Sequence, residues 1–109
     1  MSLSAVMSTA MSGMLAQERR ATASANNIAN AQTPNYDRLE TTLNATGGGA
    51  GVEARVAPSG NPDPNGGSNV NMTDEMLNVM EAELSYKANA AVFETGADMW
   101  DLLATIQRD

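Results

Sequence analysis

The sequence predicts a mainly all-α fold: two long helices paired as an antiparallel coiled coil, joined by an extended Gly/Pro-rich connector with at most a short strand or hairpin. Three observations predict it. Apolar residues recur at alternating steps of four and three near both ends of the chain. Seven of the nine glycines and all four prolines fall between residues 33 and 71, where they break both periodicities. Capping side chains stand at the junctions. A single domain over residues 1–109 follows, with a helix over about 3–31, a connector over about 33–71 and a helix over about 72–107.

In the first helix the seam runs through Leu3, Met7, Ala10, Met14, Ala21 and Ile28, with Gln17 and Ser24 as its polar members. Val6, Leu15 and Ala25 widen it. Ser2 or Ser4 is placed to cap the start. Pro34 disfavours helical backbone at Thr33, so the helix ends near residues 30–32. At about 1.5 Å per residue, this is a rod of roughly 42 Å.

The last helix repeats the alternation through Met72, Met76, Val79, Tyr86, Ala90, Phe93, Ala97 and Trp100, with Glu83 as the polar member. Leu77, Met80, Leu84, Leu103 and Ile106 broaden the stripe. Asn71 or Thr73 caps it, and Asp74 and Glu75 lie in the first turn, where the helix dipole favours acids. Between the helices, TGGGAG and PSGNPDPNGGSN are turn and linker chemistry. Val52-Glu53-Ala54-Arg55-Val56 alternates like a strand, but five residues are too few to stand alone. Most of the connector is therefore expected to be extended or mobile.

Composition excludes several functions. Thirteen acids against six bases give a net charge of -7, with no basic stripe for nucleic acid or an anionic membrane surface. Cysteine and histidine are absent, which removes thiolate and imidazole nucleophiles and the zinc sites built from them. The first basic residue is Arg19, so the N-terminus does not read as a secretory signal. No window approaches the ~20 apolar residues of a membrane span.

Candidate catalytic features fail in turn. Glu94, Asp98 and Asp101 share a helix face, as a solvated flank does. Ser85 and Lys87 point apart on a helix. The connector glycines lack the Gly-Lys-Ser/Thr ending of a phosphate cradle. No enzyme, cofactor or metal site is expected. With one Trp, two Tyr and one Phe, the shared core is thin, and neighbours are expected to supply stability. The eight methionines suit adaptable packing, and Gly13 and Gly96 suit close helix crossings.

The stretch ANNIANAQTPNYDRLE, residues 25–40, stands out. Asn26, Asn27 and Asn30 cost a helix about 1.5–2 kcal/mol relative to alanine. Carboxamides at a helix end bond backbone groups of their own chain or of a packed neighbour, or fix register between helices; a frayed, solvated helix end is the plainer alternative.

Residues 12–38, SGMLAQERRATASANNIANAQTPNYDR, resemble the N-terminal signature of bacterial flagellar axial proteins, the rod, hook and hook-associated group. The match lies in Ser12-Gly13, Ala16-Gln17, Asn26-Asn27-Ile28-Ala29-Asn30 and Thr33-Pro34-x-Tyr36. Asn35 stands where the family usually has Gly, and Asn is the next-best residue for a left-handed turn. Residues 69–95 resemble the closing segment of the same family through Asn69-Val70, Asp74, Glu75-Met76 and Tyr86-Lys87-Ala88-Asn89.

The resemblance implies a minimal member, most like a proximal rod protein, because about 40 connector residues replace the β-rich domain of larger members. It also implies a structural subunit that leaves the cytoplasm unfolded through the flagellar type III export apparatus, without a cleaved signal peptide. Such a subunit assembles helically with itself and other rod proteins in the periplasm-spanning basal body, with no nucleic acid and no membrane insertion. On this basis Gly13, Gln17, Asn26, Asn27, Ile28, Asn30, Thr33, Pro34, Tyr36, Glu75, Met76, Tyr86 and Asn89 form the expected assembly signature. An exported cap, adaptor or paralogue outside the rod, and a soluble helical binding module, are the alternatives.

Overall fold

The computed structural model describes residues 2–108. The first helix, α1, spans Leu3–Ala29. Its start is capped by Ser2, whose Oγ accepts a 3.1 Å hydrogen bond from the Ala5 amide. Its end is closed by Asn30, whose N–H reaches back to the carbonyls of Asn26 and Asn27 at 3.2 and 3.1 Å. The last helix, α2, spans Met72–Arg108. Asn71 caps it through Oδ1, which accepts from the Asp74 amide at 3.3 Å.

The connector corrects the predicted all-α class. Two seven-residue strands, β1 (Leu39–Ala45) and β2 (Val52–Pro58), pair antiparallel in the register Leu39↔Pro58 to Ala45↔Val52. A short 3-10 turn over Gly47–Gly49 joins them, and Gly48, Gly49 and Gly51 take positive φ there. The fold is thus two helices with a β-hairpin between them, rather than a helical pair with a mobile linker. Leu39, Thr41 and Leu43 alternate along β1, and its β-branched threonines favour a pleated surface. Seven paired residues alone are marginal; packing against α1 stabilises them. Ser12 Oγ accepts from the Val52 amide at 3.1 Å, and Ala54 is buried.

The helices run antiparallel. Near one end Arg20 reaches Asn78 and Glu81 at 2.8 and 2.6 Å. Farther along, Gly13 lies against Asn89, and Gly96 lies against Met7. A side chain on either glycine would intrude on its neighbour, so these are the close crossings that glycine permits. The packed line on α2 differs from the predicted one. Glu75, Ala82 and Gly96 are buried, whereas Met72, Met76 and Tyr86 are exposed. The seam follows the small residues because they let the two backbones approach; the bulkier stripe is left outside.

The fully buried apolar residues listed by side chain are all alanines: 10, 16, 23, 54 and 82. The molecule measures 70 × 25 × 13 Å, with a radius of gyration of 18.4 Å, against about 13 Å for a compact chain of this size. It is a thin rod. Its α2, 37 residues long against 27 for α1, runs past the start of α1.

Candidate functional site

The asparagine-rich stretch builds a corner where α1 ends and the hairpin begins. Thr33, Pro34, Asn35 and Tyr36 form a turn closed by the Tyr36 amide donating to the Thr33 carbonyl at 3.3 Å. Proline stands second and Asn35, at φ +60°, stands third, as a left-handed turn position requires. Asn30 anchors the turn to the helix. Its Nδ2 donates to the Asn26 carbonyl at 2.9 Å and its Oδ1 accepts from Thr33 Oγ1 at 3.1 Å.

Asn27 sits at the centre, with no exposed surface. Its Nδ2 donates to the Leu39 carbonyl at 2.9 Å, and its Oδ1 accepts from the Leu39 amide at 2.8 Å. A carboxamide carries a donor and an acceptor in the same geometry as a peptide group. The side chain therefore pairs with Leu39 as a neighbouring strand would. Oδ1 also accepts from Tyr36 Oη at 2.8 Å, and that hydroxyl accepts from Asn26 Nδ2 at 3.0 Å.

A second set of bonds ties the corner to the start of α2. Asn69 Oδ1 accepts from the Arg38 amide at 2.6 Å, while Nδ2 donates to Asp37 Oδ1 and to the Asn61 carbonyl at 2.8 and 2.9 Å. Ser59 Oγ donates to Asp37, and the Gly60 amide donates to Asp37 Oδ2 at 2.9 Å. These donors, the Ser59 hydroxyl first, hold the Asp37 carboxyl below its ordinary pKa, although desolvation opposes them. Arg38 Nε meets the fully buried Glu75 at 3.0 Å, and Arg38 Nη1 meets Glu40 at 2.9 Å. Removing Arg38 would strand a buried carboxylate, so this pair binds hairpin to helix by the cost of breaking it.

Of the expected signature residues, Asn26, Asn27, Ile28, Asn30, Thr33, Pro34 and Tyr36 lie in this corner, and Glu75 joins it through Arg38. The others lie apart. Gly13 and Asn89 meet across the helix pair; Gln17 is buried with no hydrogen-bond partner for its Oε1; Met76 and Tyr86 are exposed on α2.

Comparison with known proteins falls on the same segments. A family described as "Flagella basal body rod protein" matches residues 7–36, and "Flagellar basal body rod FlgEFG protein C-terminal" matches residues 66–106. The two matches flank the hairpin in chain order. This chain belongs to the bacterial flagellar axial protein family. A flagellar hook protein FlgE from Brucella suis biovar 1 (strain 1330) is 49% identical over 41 residues, which is 38% of this chain. The aligned segment spans only 10% of that hook protein.

The inner ends of the two axial-family segments bond directly to each other. The Asn35 amide donates to the Gly66 carbonyl at 2.9 Å, and the Asn69 amide donates to the Tyr36 carbonyl at 3.3 Å. Leu39, Arg38, Asp37 and Ser59 are corner residues that sequence reasoning missed. Leu39 takes part through its backbone, which leaves no residue-type signal. The Arg38–Glu75 pairing was foreshadowed only by the placement of Glu75 in the first turn of α2.

Two outcomes test this geometry. Asn27→Ala leaves the Leu39 N–H and C=O unpaired and is expected to cost about 2–3 kcal/mol, against about 1 kcal/mol for Tyr36→Phe; urea denaturation of the full chain checks both. Because the Asp37 pKa is lowered, its contribution is complete above the ordinary aspartate value and is lost as pH falls through the folded one. Asp37→Ala should therefore flatten the acid side of the stability profile below about pH 4.

Proposed function

We propose that this chain is a structural subunit of the bacterial flagellar rod, a single minimal axial-protein unit that assembles helically through its terminal helices. The observation that carries the reading is the direct bonding of the two matched segments at Asn35–Gly66 and Tyr36–Asn69. Helix ends that larger family members separate by a domain are here separated by one hairpin. The corner residues act as a fixed stop that sets where the helix pair ends and the hairpin starts.

Export in an unfolded state, through the flagellar type III apparatus and without a cleaved signal peptide, is part of the same proposal. An all-alanine core supports it, because so little burial holds the chain folded before it meets its neighbours. The partners are further copies and other rod proteins, with no role in catalysis or nucleic-acid binding. No described helix is long and apolar enough to cross a membrane. A place in the hook is the second reading, favoured by the identity to a hook protein.

Mass spectrometry of purified hook–basal bodies from the source cell tests the proposal. The chain is expected at structural stoichiometry, and in rod fractions stripped of hook. Its absence from basal bodies while it is expressed would overturn the structural reading, and its loss together with the hook would move it there.

A further inference from the structure

α2 presents a second seam. On the side opposite Glu75, Ala82 and Gly96, the residues Leu77, Met80, Leu84, Met99, Leu102 and Ile106 follow helical spacing and are 50–68% exposed. Between the two bulky groups lie the exposed Ala88 and Ala91. The ridge has large ends and a low centre, and runs about 44 Å along the helix. No described part of the chain covers it.

The opposite half of the molecule has a matching hollow. Between α1 and the hairpin an apolar groove is floored by Leu15, Ala23, Leu39 and Val56, with Arg19 and Thr22 at its lip. Met11 and Leu15 continue its apolar surface along α1.

We infer that the ridge of α2 in one copy of this chain seats along the α1–hairpin groove of the next, forming a head-to-tail contact that does not close. Charge selects this pairing. The α2 segment, residues 72–108, carries -5, whereas residues 3–58 are neutral and α1 carries +1. Ridge against ridge would bring Glu81, Glu94 and Asp98 of both copies together, and like charges in an interface suppress that pairing. Area fits as well. A ridge about 44 Å long and ~10 Å wide removes roughly 900 Å² per contact, counting both faces. Each copy in an open array makes the contact twice, so about 1,800 Å² is covered per copy, which is the scale of a stable interface. A contact between different surfaces propagates instead of forming a two-fold pair.

The inference rests on the structural-subunit reading and names the surfaces it uses. Because the chain has no cysteine, engineered thiols report on the contact cleanly. Mixing a Thr22→Cys chain with a Leu84→Cys or Leu102→Cys chain under mild oxidation is expected to give mixed dimers. A chain carrying both thiols is expected to give a ladder, and Glu94→Cys on the charged face little product. In sedimentation velocity, Leu84→Glu and Leu102→Glu should weaken self-association by about tenfold or more, with helix content unchanged by circular dichroism. Leu84→Cys chains that cross-link with themselves as well as with Thr22→Cys would overturn the inference in favour of a two-fold helix pair. So would a monomer at every concentration tested, or glutamate variants that associate like the parent. None of these failures bears on whether basal bodies contain the chain, so the two readings fall separately.

Discussion

Everything in this fold turns on one side chain that behaves as backbone. Asn27, fully buried, offers a donor and an acceptor to Leu39, the first residue of β1. Leu39 stands opposite Pro58, which has no N–H to give it. Asn27 therefore supplies the pairing that the hairpin itself cannot supply at its open end. It also sets the hairpin register against α1. A shift by one residue would move Leu39 and Val56 off the groove and turn them outward. The helical cost of the asparagines is offset by this contact: poor helix formers stand where the chain must stop being a helix and begin to be a sheet.

From that corner the rest follows in order. Asn30 and the Thr33–Tyr36 turn stop α1, Asn27 starts β1, and Arg38 carries the tie to the buried Glu75 at the start of α2. The helices then run side by side over small residues, meeting at Gly13 and Gly96. Such a core excludes water from a narrow line only, so most large apolar side chains of α2 stay outside. In a lone globule that would be a liability. In a subunit of a continuous axis it is surface kept for neighbours, which ties the economy of the core to the proposed role.

The helices, their caps and the glycine crossings were legible because each is local chemistry. A serine before a helix, prolines after one and apolar spacing need no tertiary knowledge. The hairpin was missed for a physical reason. Thr41 and Thr42 of LETTLNA favour a strand, but two such strands are stable only on the α1 surface, and no window of sequence contains that surface. The seam on α2 was misplaced because bulk was taken as the sign of burial. In this helix pair close approach decided instead, and Ala82 and Gly96 were buried in place of Met72 and Met76. The asparagines were visible as an anomaly, but their partner was not, since every residue has the amide and carbonyl that Leu39 uses.

The most direct measurement is native-state hydrogen exchange at the Leu39 amide in the full chain. That amide lies at the open end of the hairpin, where fraying would leave it unprotected, and its acceptor is Asn27 Oδ1. If Asn27 joins helix and hairpin into one unit, Leu39 is protected as strongly as the amides in the last turn of α1 and opens together with them. Exchange at Leu39 near the rate of an open chain, while the interior amides of β1 stay protected, would contradict that central claim.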